Sequence, residues 1–173
     1  EIIADDKAKG RPDWRLYLAR GAARERLGRW PEAEQDLLRA RQLSPDNPQV
    51  LNHLGYGWVD RGQNLEEAMR LISRAVDLEP HNGMIIDSLG WAHFKLRDYG
   101  RAVLHLERAV ELEPGDPVIN DHLGDAYWHV GRRLEAHFQW KRALTLEPDA
   151  EQAEQLRQKL SEGLPDGAHY AGG

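Results

Sequence analysis

Cysteine is absent from all 173 residues, which excludes disulfides, thiolate nucleophiles and thiolate metal sites. That absence fits the cytoplasm and the periplasm equally, and it does not choose a compartment. A basic excess is lacking too. The formal net charge is -6, and a nucleic-acid binder needs a basic stripe against phosphate, so no nucleic-acid partner is expected. No apolar run approaches the roughly 18 residues of a membrane span, so this segment is not expected to insert directly into a membrane. Glycine-rich phosphate loops, nucleophile elbows and zinc-helix motifs are missing, so neither an enzyme nor a cofactor is expected. The chain opens at Glu1 without Met or an apolar leader, which fits a processed chain or a piece of a larger protein.

What is present is helical periodicity at 40% apolar and 30% charged residues. Between Gly83 and Asp116, Ile86, Leu89, Gly90 and His93 recur at spacings of three and four. Ala102, Leu106 and Ala109 do the same in a second run that ends at Pro114. A single hairpin of this kind cannot bury both faces and needs neighbours. The pattern returns over 14–47, 48–82 and 117–150. Residues 1–13 read as a leader or as the end of an upstream helix. Residues 151–162 read as a polar capping helix with a stripe of Ala153, Leu156 and Leu160, and 163–173 as a disordered tail.

Small residues mark one place in every hairpin: Gly21, Gly55, Gly90 and Gly124 on the first helix, Ala33, Ala68, Ala102 and Ala136 on the second. They allow two helices to approach closely. Arg20 and Arg24 stand where other repeats are apolar, which makes the first repeat the least regular. One residue is inserted within the GQNLEEA stretch of the second, in a turn where an insertion is cheap.

Leu123-Gly124 with Tyr127, Ala136 with Trp140, and Pro148 closely match the tetratricopeptide repeat, and Leu89-Gly90 with Ala102, Leu106 and Pro114 match it in part. The chain resembles that family from Trp14 to Ala150. The resemblance implies an all-α fold, a right-handed α-solenoid of four hairpins plus a C-terminal capping helix, whose first helices line a concave groove. More narrowly, the stretches from Leu54 onward resemble the C-terminal repeats of bacterial envelope-associated tetratricopeptide proteins. Some of these are lipoproteins, and at least one branch is an adaptor for a carboxyl-terminal processing protease. The Lys/Asn/Arg carboxylate clamp of some eukaryotic relatives is missing, since Leu18, Ala22, His53, Met84 and Ser88 occupy its places.

If the resemblance holds, Asn52, Tyr56 and Asp60 face the groove in the second repeat, and Asp87, Trp91, Phe94 and Lys95 in the third. Asp121, Asp125, Trp128 and His129 do so in the fourth. The aromatics are candidate anchors and the carboxylates a candidate wall for Lys or Arg side chains. Packing between repeats and a plain solvated face are the competing readings of the two sets. The partner is then another protein or peptide, basic with apolar anchors, bound to a monomeric adaptor or scaffold. The alternative is a structural segment of a larger scaffold, contacting partners through its convex face or ends. His122, Asp125 and His129 share a helix face, but the two histidines lie seven residues apart, about 10 Å along a helix, too far for one ion.

Overall fold

A run of small and apolar residues every three to four positions can bury only one helix stripe, so each helix here folds back on its sequence neighbour. The computed structural model describes residues 12–165. The leader expected over 1–13 falls almost wholly outside them, as does the tail from residue 166 on. Every regular element among the described residues is an α-helix. They form two compact units that divide at Glu79 and Pro80.

The first unit contains α1 (Trp14–Arg26), α2 (Trp30–Leu43), α3 (Pro48–Asp60) and α4 (Leu65–Leu78). Asp13 caps α1 by accepting from Arg15 N at 2.9 Å, and Asn47 caps α3 by accepting from Val50 N at 3.1 Å. These short side chains satisfy amide groups that the helix leaves without partners. α1 pairs with α2 and α3 with α4. Leu37 lies between Ala33 and Ala40, and Leu51, Leu54, Ala68, Ile72 and Ala75 form the second hairpin's core, all of them buried. The inserted residue lies in the turn before α4, where Asn64 adopts a left-handed conformation (φ 44°), a region that Asn tolerates.

The irregular first repeat has a specific compensation. Asp36, 3% exposed, lies on the packing face of α2. Arg20 Nε donates to Asp36 Oδ2 at 2.7 Å, and Arg24 Nη1 donates to the same oxygen at 2.7 Å. Two arginines therefore replace apolar packing with charge-assisted hydrogen bonds around one buried carboxylate. Trp30 opens α2 and closes on α3: its indole N–H donates to Gln63 Oε1 at 3.1 Å, and Arg61 lies 4.2 Å above its ring.

The second unit contains α5 (Gly83–Lys95), α6 (Tyr99–Leu112), α7 (Pro117–His129), α8 (Arg133–Thr145) and α9 (Ala150–Glu162). Asn82, Asp98, Asp116 and Asp149 cap four of them through their side chains. α5 pairs with α6 and α7 with α8, α6 also packs on α7, and α9 packs on α8. Ile86, Leu89, Ala102, Leu106 and Ala109 are buried, and His93 is buried with them, stacked on His105 at 5.3 Å. In the α7–α8 hairpin the close approach is at Gly124. A Cβ there would lie 2.5 Å from Cδ1 of Trp140, which is itself fully buried. Asn120 replaces the usual leading aromatic and donates to the Asp116 carbonyl at 2.7 Å, tying α7 to its entering loop.

The candidate site on the first helices of the second unit

Within each unit the two first helices touch each other as well as their own hairpin partners, and this contact decides where the predicted groove residues lie. α5 and α7 are in direct contact. Trp91 on α5 stacks on His122 of α7 with ring centroids 4.0 Å apart, and on Phe94 at 4.6 Å. Trp91 is 5% and Phe94 4% exposed. Neither is the open aromatic anchor that the sequence predicts. Both are packing residues between adjacent repeats, because a bulky side chain one step off the hairpin face fills the space between two first helices.

The carboxylates need a similar correction. Asp87, Asp121 and Asp125 are buried, so they are not a solvated acidic wall. Asp87 Oδ1 lies 2.9 Å from His122 Nδ1. Asp121 and Asp125 face α9, where Lys159 Nζ donates to Asp121 Oδ1 at 2.6 Å and to Asp125 Oδ2 at 2.9 Å. The Trp140 indole donates to Asp125 Oδ1 at 2.9 Å. Each buried charge thus has an opposite charge or a hydrogen-bond donor, the condition for keeping it out of water.

Electrostatics follow from this burial. Desolvation pushes the Asp125 carboxyl up to about 6, against the pull of Lys159 and with the added repulsion of Asp121. Desolvation also opposes the charge on Lys159, but the two aspartates outweigh it and hold the ammonium above the usual lysine range. At His122 burial again works against the charged form, and Asp87, with help from Asp121 and Asp125, overcomes it and raises the imidazole above its ordinary value.

Trp128 is half-buried. Its indole N–H donates to the Leu164 carbonyl at 2.8 Å, and Arg133 lies 3.7 Å above its ring. Gly163 makes this closure possible: it has φ 72°, and a Cβ there would lie 2.1 Å from Trp128 Cη2. Residues 163–165 therefore follow α9 onto α7, where the sequence predicts the start of a disordered tail. His129 is half-buried and stacks on Tyr99 at 4.5 Å. Lys95 is half-buried, with its ammonium 5.8 Å above Trp91.

In the first unit, Asn52 and Tyr56 are half-buried and Asp60 is exposed. Asn52 Oδ1 is buried with no hydrogen-bond partner among the described residues. His122, Asp125 and His129 do not converge, since the first two are engaged with Asp87, Lys159 and Trp140 and the third stacks on Tyr99. Among the described residues no group of three or more His, Asp or Glu could hold a metal ion, and no helix is long and apolar enough to cross a membrane.

Sequence reasoning missed Lys159, Leu164 and the contact role of His122. Lys159 had a readable signal. It lies three residues after Leu156 on the buried stripe of an otherwise polar helix, so its cation required a buried acid. Nothing in the sequence pointed to the Leu164 carbonyl.

Comparison with known proteins resolves the family. Tetratricopeptide-repeat profiles match residues 14–57 and 86–116. A TPR repeat-containing protein of Pseudomonas aeruginosa is 35% identical over 83 residues, 48% of this chain and 14% of the relative. The chain contains tetratricopeptide repeats over residues 14–57 and 86–116. Its fold class is the all-α helical-repeat solenoid. The crystal structure of MamA has a TM-score of 0.63 at 22% identity, covering 83% of each chain. A structure of Pseudomonas aeruginosa pilF has a TM-score of 0.68 at 16% identity, covering 87% of this chain and 68% of that one. At these identities the two structures speak for the tetratricopeptide fold alone. The Pseudomonas relative fits a bacterial kinship for the repeats, and this chain spans about one seventh of its length.

Proposed function

We propose that this tetratricopeptide chain is a non-enzymatic protein-interaction module, an adaptor or scaffold whose first helices hold a peptide or partner helix. Tetratricopeptide repeats commonly serve as protein-interaction scaffolds. One observation carries the finer reading. On α7 a lysine ammonium and a backbone carbonyl, both from elsewhere in the chain, are seated on Asp121, Asp125 and Trp128. This is the chemistry of gripping another polypeptide: a cation on paired carboxylates and a main-chain acceptor on an indole donor. Asn52, Tyr56 and Asp60 offer polar and aromatic groups on α3 in the same repeat position.

A second reading rests on the outward helices. Leu104, Leu134 and Phe138 are 64%, 86% and 63% exposed, and large exposed apolar side chains on one unit favour contacts through that face. In this form the chain is a structural segment of a larger scaffold, and an envelope protease adaptor is one instance. Photo-crosslinking separates the two. A photoreactive residue replaces Asn52 or Asp60 in one set of proteins and Leu104 or Phe138 in another, and each is irradiated in extract of the source organism. Capture of a defined partner from the first set alone is the expected result. Capture from the second set alone overturns the first-helix reading.

A further inference from the structure

We infer that α9 and residues 163–165 are a built-in, displaceable occupant of α7, and that this surface takes a partner segment with a lysine or arginine near the end of a helix followed by an extended stretch. The inference rests on the reading that the first helices bind polypeptide. Its observations concern how α9 is held.

The hold of α9 on its neighbours is narrow. Leu156 is its one fully buried side chain, Ala153 and Leu160 are half-buried, and most other positions are exposed. The helices α5 to α8 instead each bury at least three apolar residues. α9 adds one cation and, just past its end, one carbonyl. The cation is Lys159, with its side chain 12% exposed, on Asp121 and Asp125, whose side chains are 9% and 2% exposed. The carbonyl is that of Leu164 on Trp128, reached through Gly163.

Removing α9 would leave two adjacent carboxylates and an indole donor exposed on α7, with Asp87 and His122 beside them. Such an acidic pair demands a cation. A ligand that brings an ammonium or guanidinium and, about five residues later, a free carbonyl therefore restores both polar contacts that this segment makes with α7. Trp91 on α5 adds a second indication. Its indole N–H is buried without an acceptor among the described residues, although the ring stacks on His122. The chain's own segment satisfies Trp128 and leaves Trp91 unsatisfied.

A tethered competitor lowers apparent affinity by the fraction of time the site is free. If α9 is closed 90% of the time or more, an external copy binds at least about tenfold more weakly than to an open site. The test uses a fluorescent peptide spanning residues 149–165 and the full chain as wild type and as Lys159→Gln. Circular dichroism confirms that the variant remains helical. The peptide is expected to bind Lys159→Gln at least about tenfold more tightly than wild type, and a peptide carrying Lys159→Glu to bind neither. Hydrogen exchange should show α9 losing protection in Lys159→Gln while α5 to α8 keep theirs.

Equal affinity for wild type and variant overturns the inference, as does unchanged α9 protection in Lys159→Gln. Asp125→Asn in the Lys159→Gln background supplies a second check, since it should weaken the peptide again; retained binding places the peptide elsewhere and also overturns the inference. If the peptide fails while crosslinks at Asn52 or Asp60 succeed, only the displaceable occupant falls. If the peptide binds as expected and partners crosslink only through Leu104 or Phe138, the broader first-helix reading falls.

Discussion

Replacing Asp36 by alanine tests whether a buried charge cluster stabilises the irregular first repeat. The carboxylate is 3% exposed and accepts from both Arg20 and Arg24. Removing one partner of a fully buried ion pair typically costs about 3–5 kcal/mol, because the remaining charge is stranded. Here the stranding is incomplete. The Arg20 side chain is 40% exposed and can turn to water, and Arg24, 24% exposed, keeps its bond to the Glu32 carbonyl at 3.2 Å. The expected loss for Asp36→Ala is therefore about 2–3 kcal/mol. Because repeat proteins are stabilised mainly by neighbours, the loss should appear first in α1 and α2. Urea unfolding gives the magnitude, and hydrogen exchange gives the location. A triple variant, Arg20→Leu, Arg24→Leu and Asp36→Leu, replaces the cluster with apolar volume and should regain most of the stability. An Asp36→Ala protein within about 0.5 kcal/mol of wild type refutes the reasoning, as does a triple variant as unstable as the single one.

Two other substitutions probe the second unit. His122→Gln removes an imidazole whose folded pKa lies above its unfolded value of about 6.5, so its stabilisation is fully present below that value and is lost as pH rises through the folded one. The stability difference between wild type and His122→Gln should be largest below the unfolded value and shrink as the pH rises above it in urea titrations; a difference that grows with pH contradicts the Asp87 pairing. Gly124→Val should cost about 1–3 kcal/mol or more by forcing Trp140 aside, read as a lowered thermal midpoint. Gly115→Ala, where a Cβ meets nothing within 4 Å, should stay within about 0.5 kcal/mol, and similar losses in both variants would contradict the close-approach argument.

Much of the fold was legible because helix packing is periodic. Gly90, Gly124, Ala102 and Ala136 recur at the places where two helices must come close, and a one-dimensional pattern records that requirement directly. The capping residues were also readable: Asp13, Asn47, Asn82, Asp116 and Asp149 each precede a first helix or α9, once per repeat. Asp36 could have been read from its register between Ala33 and Ala40, opposite two arginines.

The candidate site was legible in its residues and misread in its exposure. Asp87, Trp91, Phe94, Asp121 and Asp125 lie off the hairpin-packing face, and a single-helix projection assigns such positions to solvent. Burial there depends on two contacts that no local period encodes. One is α5 against α7, which stacks Trp91 on His122. The other is α9 against the α7–α8 hairpin, which brings Lys159 to a pair of carboxylates 38 and 34 residues earlier in the chain.

By itself, then, the sequence determined the helices, their pairing into hairpins and the small residues that let them close, because these follow from interactions within a repeat or between adjacent helices. Only the tertiary structure decided which side chains beyond the hairpin faces are open. Desolvation and charge pairing depend on what lies across a gap in space. Asn52, Tyr56 and Asp60 keep partial or full access to solvent, whereas the Asp121–Asp125 pair is covered by the chain's own lysine.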